Sequence, residues 1–253
     1  MYPPDTGRDQ TWLPRRAAPD LLSPTIHIWR VDLDITPAQE RHLSGLLGDA
    51  EQERAGRLKF AAHRRRFIAS HAGLRLLLGG LLDEVPEAIA FTAGLHGKPA
   101  LGGRHAAHPL QFNMTHSHEL ALIAAGTGQP LGVDVEQLRP IPEATGIASR
   151  FYSPDEQARF APVAGTEQEE SAFFACWTRK EAIIKCLGQG FQHPTQTFSV
   201  AFLPDEPVEI LDDGTPGGPL RDWFLVDLQP GTGYAGALAA ARPAPVRRWS
   251  WVW

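Results

Sequence analysis

Two carboxylates stand two residues apart in the short apolar segment PLGVDVEQL. Asp134 and Glu136 alternate there with Leu131, Val133 and Val135, so a strand would project both carboxylates from the same face. Such a pair repels itself unless a cation or a basic side chain lies between its members. The oxygens suit Mg²⁺, which also takes phosphate oxygens and water as ligands. The spacing alone is equally typical of the solvent-facing side of an ordinary strand.

A second set of charges lies in the apolar segment CWTRKEAIIKCLGQG. On a helix Trp177, Glu181 and Lys185 fall at positions i, i+4 and i+8 and form one stripe, while Lys180 begins a neighbouring stripe. Taken alone, a Glu–Lys pair at this spacing is a common surface feature worth about 0.2–0.5 kcal/mol. The flanking apolar residues leave little of this helix solvated, and ionised groups in such surroundings need partners that offset desolvation. A metal ion and a phosphate would be suitable partners.

One histidine is placed where it could contact an anion. Apolar runs in PLQFNMTHSHELALIAAG predict two strands joined by a polar turn at Thr115, His116, Ser117 and His118. His116, flanked by hydroxyls, could hydrogen-bond phosphate oxygens, although a single loop histidine is more often incidental. No serine stands in a nucleophile elbow, and neither a P-loop nor a dinucleotide-binding glycine pattern occurs. These observations argue against a serine hydrolase and against the common nucleotide-binding motifs.

The densest positive charge in the chain is a run of basic residues in its first third. The run consists of Arg54, Arg57, Lys59, Arg64, Arg65 and Arg66, with Arg75 beyond it. Such a run is usually a solvated helix face, but it would also suit a nucleotide phosphate or an acidic protein. The whole chain has a formal net charge of −5, which argues against a polybasic nucleic-acid binder.

Composition indicates a globular protein. Of the 253 residues, 43% are hydrophobic and 21% are charged, which leaves enough apolar material for one large core or two smaller ones. Cys176 and Cys186 lie too far apart along one helix to form a disulfide, which favours a reducing compartment. No run approaches the ~20 apolar residues of a membrane span, and the amino terminus lacks the apolar core of a signal peptide. We therefore predict a cytoplasmic protein.

The amino-terminal part of the chain divides into an arm and a lobe. Residues 1–24 lack hydrophobic periodicity, which predicts a flexible arm. Alternation in TIHIWRVDL predicts the first strand, and helical spacing from Pro37 onward predicts a helical hairpin. Together with the two strands around the polar turn, these elements form a predicted lobe of residues 25–128.

The carboxy-terminal lobe, residues 129–253, contains the candidate Mg²⁺ ligands Asp134, Glu136 and Glu181. Its long helix is expected to run from about Glu167 to Leu187 and to end at Gly188, because glycine readily adopts the left-handed conformation of a helix cap. Further strands follow this helix. Each lobe thus combines helices with a small antiparallel sheet, and we predict an α+β fold of two similar lobes.

Five short motifs, in the same order along the chain, resemble those of the Sfp-type 4′-phosphopantetheinyl transferases. They are G-K-P-A-L at 97–101, F-N-M-T-H-S at 112–117, G-V-D-V-E at 132–136, F-Y-S-P-D-E at 151–156 and W-T-R-K-E-A-I-I-K at 177–185. Five ordered motifs are far more specific than any one of them. The resemblance implies a pseudo-dimer of two similar α/β lobes with the active site in the cleft between them.

The same resemblance implies ligands and a role for each candidate residue. Mg²⁺ would be held by Asp134, Glu136 and Glu181. Coenzyme A would be bound by Arg54, Arg57, Arg66, Lys98, Pro99, Thr115, His116, Lys180 and Lys185. Catalysis would rest on Glu181, Lys185 and His116. Glu181 would take the proton of an acceptor serine, directly or through water, and Glu156 is a second acidic candidate near the cleft.

The implied reaction moves the 4′-phosphopantetheine arm of coenzyme A onto a serine of an apo acyl or peptidyl carrier protein and releases 3′,5′-ADP. Fatty-acid, polyketide and nonribosomal-peptide carriers all stay open as partners, and we expect a monomer without nucleic-acid or membrane partners. One alternative is a Mg²⁺-dependent hydrolase of coenzyme A or of another nucleotide pyrophosphate. Another is a coenzyme A-binding protein without catalytic activity.

Overall fold

The computed structural model describes residues 11–15, 24–94, 97–188, 194–212, 220 and 223–253. This part of the chain has an α+β architecture. Its helices are α1 (Pro37–Ser44), α2 (Asp49–Gly56), α3 (Ala61–Leu82), α4 (Ala144–Phe151), α5 (Pro154–Phe160) and α6 (Glu169–Leu187). Its strands are β1 (Leu13–Arg15), β2 (Ile26–Asp32), β3 (Phe91–Ala93), β4 (Pro99–Leu101), β5 (Leu110–Ser117), β6 (Leu120–Thr127), β7 (Leu131–Gln137), β8 (Ser199–Val200), β9 (Ile210–Asp212), β10 (Phe224–Leu228), β11 (Tyr234–Ala240) and β12 (Val246–Trp251).

Five strands form the larger sheet, in the order β1-β12-β2-β6-β5. Strand β12 pairs in parallel with β1 and β2, and the remaining neighbours are antiparallel. The long helix α3 buries Ile68, Leu74 and Leu77 in the same core as Trp29 and Val31 of β2. An apolar sheet face needs such a covering layer.

Three strands form the second sheet, in the order β10-β11-β7, and both pairings are antiparallel. Helix α6 lies against β7 and β11. A separate apolar cluster joins the two sheets, with Ile28 and Leu122 of the larger sheet packed among Val133 and Leu238 of the smaller one. The two predicted lobes therefore share a continuous apolar interface.

Helix α6 approaches β7 closely at Gly132. A Cβ atom at this position would collide with the carbonyl oxygen of Ala182 and the amide nitrogen of Cys186, so only glycine fits. The helix ends at Gly188, which has a φ of 70° and donates its N–H to the Ile184 carbonyl, as the sequence predicts. This contact sets side by side the two elements that carry the candidate carboxylates.

Both ends of the chain contribute strands to the larger sheet. Within the predicted arm, residues 13–15 form strand β1, because the edge of β12 offers them backbone partners. The arm residues 1–10 and 16–23 lie outside the described residues. Strand β12, from the predicted carboxy-terminal lobe, lies in the larger sheet between β1 and β2. Chain order therefore does not separate the two sheets completely.

Other local predictions have mixed outcomes. The first predicted strand is confirmed as β2, while the predicted helical hairpin consists of the three helices α1, α2 and α3. Cys176 and Cys186 are both free and buried, as their spacing predicted. Among the helices of the described part, none is long and apolar enough to cross a membrane.

Candidate active site

A cleft of about 460 Å³ lies where β5, β7 and α6 come together. Its lining consists of Gly97, Lys98, Pro99, Asn113, Met114, Thr115, His116, Asp134, Glu136, Trp177, Glu181, Ile184, Lys185 and Gly188. Four of the five motifs contribute side chains to it. All three predicted metal ligands and all three predicted catalytic residues are thus brought to one cleft.

Asp134 is the most deeply buried carboxylate of the cleft. Its Oδ1 accepts hydrogen bonds from Lys185 Nζ at 2.5 Å and from Thr115 Oγ1 at 3.1 Å. Its Oδ2 is buried and has no hydrogen-bond partner among the described residues. Burial raises the pKa of Asp134 above its ordinary value, and the nearby Lys185 ammonium opposes that rise. One oxygen of this carboxylate is therefore left for a further cation or donor.

Glu181 stands one helical turn before Lys185 on the same stripe, as predicted. Burial raises the pKa of Glu181 to about 7, and the charge of Asp134 adds to the rise. Lys185 opposes this effect, while Glu136 reinforces it. Asp134 and Glu136 thus disfavour ionisation of Glu181, and a cation bound beside Glu181 would oppose that effect.

Glu136 lies at the outer side of the cleft and has protein partners. Its Oε2 accepts hydrogen bonds from Ser117 Oγ at 2.8 Å and from Arg139 Nη1 at 3.4 Å. Ser117 therefore positions the second carboxylate of the D-x-E pair, as Thr115 positions the first.

The donor set fits a hard divalent cation. In the described part of the chain, no three His, Cys, Asp or Glu side chains are grouped closely enough to ligate a metal as they stand. Asp134 nevertheless leaves a buried oxygen without a partner, and Glu136 and Glu181 line the same cleft on flexible side chains. Oxygen-only ligands of this kind suit Mg²⁺. Rotation of the two glutamates would be needed to complete the site.

His116 lies on strand β5 and not in a turn, which corrects the sequence prediction. The turn is made by the next residues, with His118 in the left-handed region at a φ of 52°. Partial desolvation lowers the pKa of His116, and the charges of Lys185 and Arg54 lower it further. The lowered pKa favours the neutral imidazole, which has one N–H group to donate.

Lys98 and Pro99 line the opposite side of the cleft. Lys98 Nζ donates to the Leu131 carbonyl at 2.8 Å, and burial lowers the pKa of Lys98. The ammonium is thus anchored at the start of β7, beside the G-V-D-V-E motif.

The predicted basic residues lie in different places in the structure. Arg54 lines a second chamber, of about 560 Å³, that shares Pro99 and Met114 with the cleft. Arg57 is exposed and pairs with Glu53 on its own helix, and Arg66 pairs with Glu119 at 3.2 Å. Arg57 and Arg66 line neither the cleft nor this chamber. Of Arg54, Arg57 and Arg66, only Arg54 lines one of the two cavities, and Arg75 lines the same chamber.

Lys180, predicted to contact coenzyme A, is placed in the core and is not among the residues that line the cleft. Its side chain is 3% exposed, and Nζ donates to both Glu156 oxygens, at 2.9 and 2.7 Å, and to the Phe198 carbonyl at 2.6 Å. Glu156 is 0% exposed and also accepts from the backbone N–H groups of Ser153 and Val200. Glu156 is therefore a structural residue and not a second base at the cleft.

Three residues that sequence reasoning left out contribute to the site. Asn113 accepts a hydrogen bond from the Val133 N–H at 2.8 Å and so ties β5 to β7. Arg139 pairs with Glu136 and stacks over Phe174. His71 lines the second chamber. Asn113 lies within the F-N-M-T-H-S motif, and His71 follows the buried Phe67 by one helical turn, so both had a signal in the sequence.

Comparisons with known proteins agree with this arrangement. A sequence model of the 4′-phosphopantetheinyl transferase superfamily matches residues 130–239. The chain is 37% identical over 231 residues to the 4′-phosphopantetheinyl transferase HetI of Nostoc sp., which covers 91% of this chain and 94% of HetI. It is 31% identical over 190 residues to the 4′-phosphopantetheinyl transferase Sfp of Bacillus subtilis, covering 71% and 79% of the two chains. Similarity of this extent reaches far beyond the short motifs, and the chain belongs to the 4′-phosphopantetheinyl transferase superfamily.

Proposed function

We propose that the protein transfers the 4′-phosphopantetheine arm of coenzyme A to a serine of an apo acyl or peptidyl carrier protein, in a Mg²⁺-dependent reaction. The observation that carries the proposal is the convergence of Asp134, Glu136 and Glu181 with Lys185 and His116 in one cleft. Carboxylates for a metal and cations for a pyrophosphate are the two components that such a transfer requires.

Each cleft residue has a distinct task in this proposal. Asp134, Glu136 and Glu181 would hold Mg²⁺, which when bound supplies charge neutralisation at the pyrophosphate. Lys185 and His116 bind phosphate oxygens, and Thr115 keeps Asp134 and Lys185 in place through its hydroxyl.

The nucleotide end of coenzyme A extends from the cleft into the second chamber. Lys98 and Pro99 flank the path, and Arg54 binds the 3′-phosphate. Arg54 is suited to this task because no carboxylate pairs with it in the described part of the chain.

Glu181 is the base of the proposed reaction. The serine oxygen attacks the phosphorus that carries the pantetheine arm, the bond from that phosphorus to 3′,5′-ADP breaks, and the serine proton passes to a Glu181 carboxylate oxygen. Burial raises the pKa of Glu181, and bound Mg²⁺ would lower it again, which would keep the carboxylate ionised and able to accept the proton.

Mass spectrometry of apo carrier proteins incubated with coenzyme A and Mg²⁺ tests the proposal. A panel of fatty-acid, polyketide and nonribosomal-peptide carriers should include at least one that gains the mass of one phosphopantetheine group. If no carrier gains this mass, coenzyme A binding without transfer replaces the proposed function. If 3′,5′-ADP is released without a carrier, hydrolysis replaces it.

Substitutions in the cleft test the role of each residue in transfer. Asp134→Ala and Glu181→Gln should abolish transfer without unfolding the protein, and Lys185→Ala should slow it about 100-fold, as expected for loss of one charge-stabilising donor. Glu170→Gln, near the start of the same helix, is the matched control and should be as active as the unchanged protein. Normal turnover of Glu181→Gln would remove that residue as the base.

We also propose a domain organisation, an oligomeric state and a cellular location. We assign residues 25–128 and 129–253 to two lobes, with β12 returning to the sheet of the first. A lobe pair within one chain removes one reason for dimerisation, so we propose a monomer. Two free buried cysteines are consistent with a cytoplasmic protein.

A further inference from the structure

The second chamber is lined partly by aromatic rings. It is bounded by the Phe67 ring, by Arg54 and His71, and by Pro99 and Met114, which it shares with the cleft. A ligand whose pyrophosphate lies in the cleft can therefore extend into the chamber. The rings of Phe67 and His71 are stacked, with centroids 3.8 Å apart, and the Arg54 guanidinium lies 5.3 Å from the Phe67 centroid.

The hydrogen bonds of His71 determine which ring nitrogen carries its proton. Nδ1 lies 3.0 Å from the carbonyl oxygen of Phe67 and 3.2 Å from the hydroxyl of Ser70. A carbonyl oxygen can only accept, so Nδ1 is the protonated nitrogen. Burial lowers the pKa of His71 to about 4, which keeps the ring neutral at pH 7. Nε2 is consequently an acceptor, and no hydrogen bond to it is found within the described residues.

Arg54 and His71, two of the polar side chains that line the chamber, have opposite preferences. Arg54 is a cation without a carboxylate partner in the described part of the chain, because Glu51 pairs with Arg75 and Glu53 pairs with Arg57. Arg54 therefore suits a phosphate. The neutral Nε2 of His71 offers a lone pair, which repels phosphate oxygens and attracts an N–H donor.

We propose that His71 is a specificity-determining residue that accepts a hydrogen bond at Nε2 from the 6-amino group of the adenine of coenzyme A. This inference rests on the proposed function, since it takes coenzyme A as the ligand of the cleft. Of the groups on the nucleotide, the amino group is a donor on a flat, weakly polar ring, and the chamber provides an acceptor beside an aromatic surface.

Binding of two nucleotides by the full-length protein tests the assignment. The probes are 3′,5′-ADP and purine-riboside 3′,5′-bisphosphate, which lacks only the 6-amino group, and the readout is the ratio of their Kd values from calorimetry. The unchanged protein should bind 3′,5′-ADP about 10-fold more tightly, as expected for one hydrogen bond to an otherwise unpaired acceptor. His71→Leu should bring the ratio close to 1, and His71→Gln, which retains an acceptor, should restore part of the preference.

His63→Leu is the matched control, because His63 is an exposed histidine on the same helix, and it should leave the ratio unchanged. A measurement on the unchanged protein complements the variants: the ¹⁵N resonance of His71 Nε2 should shift on binding 3′,5′-ADP and not on binding the purine-riboside nucleotide. An equal ratio in the unchanged protein and His71→Leu, or equal shifts with both nucleotides, would overturn the inference. Carrier modification by the unchanged protein would still stand in that case, so failure of this inference is distinct from failure of the proposed function.

Discussion

Replacement of Lys180 by methionine tests whether this side chain stabilises the fold or binds a ligand. The side chain is sealed between α5, α6 and the strand region after Phe198, where Nζ donates to both oxygens of Glu156 and to the Phe198 carbonyl. Methionine has a similar length but no charge. Lys180→Met would therefore leave the buried Glu156 carboxylate without its counter-ion, and we expect the variant to be strongly destabilised.

The structure indicates the size of this effect. Removal of one partner of a buried ion pair typically costs 3–5 kcal/mol. Glu156 keeps its hydrogen bonds from the Ser153 and Val200 N–H groups, both 2.8 Å, which places the expected loss at the lower end, about 3 kcal/mol. For a domain of this size, that loss corresponds to a decrease in Tm of roughly 6–12 °C.

Urea unfolding of Lys180→Met, with Lys59→Met as an exposed control, measures the loss directly. The double variant Lys180→Met/Glu156→Gln should recover part of the stability, because a neutral amide is less costly to bury than an unpaired carboxylate. The coenzyme A affinity of folded Lys180→Met should equal that of the unchanged protein. Unchanged stability together with weakened coenzyme A binding would refute the assignment of Lys180 to the core.

Three further outcomes follow from the structure. Gly132→Ala should destabilise the protein by at least about 3 kcal/mol in urea unfolding, because the new methyl group meets backbone atoms of α6 that cannot move independently. Mg²⁺ at 100 times its Kd should stabilise the protein by about 2.7 kcal/mol, and a thermal-shift assay should show no such gain in Asp134→Asn. The pKa of His71 falls from 6.5 to about 4 on folding. The contribution of the neutral ring to folding stability is therefore complete above pH 6.5 and is lost as the pH falls toward 4. Between pH 7 and pH 4, the free energy of unfolding of the unchanged protein in urea should fall by about 3 kcal/mol more than that of His71→Leu.

The two elements that carry the carboxylates were predictable because their patterns are local. The period of two in β7 requires Asp134 and Glu136 to share a face, and the period of 3.6 in α6 requires Glu181 and Lys185 to share a stripe. Gly188 as the end of α6 was predictable for the same reason, since a left-handed cap depends on a single residue.

Contacts between elements distant in sequence were not predictable in this way. Lys180 begins the stripe next to Glu181, and nothing within the helix indicates that this stripe meets Glu156, 24 residues earlier in the chain. The position of β12 in the larger sheet likewise depends on backbone pairing with β2, which lies near the other end of the sequence. Arg54, Arg57 and Arg66 are alike in the sequence, and only packing of α2 and α3 decides which of them reaches a cavity.

The sequence by itself therefore determined the chemical groups, the strand and helix faces that present them, and a resemblance that later proved to be family membership. The tertiary structure alone decided which of the charges share a cleft, which are neutralised in the core and which lie in solvent. The physical reason is that the direction of a side chain follows from backbone geometry within a few residues, whereas its dielectric surroundings and partners depend on the elements that pack against it.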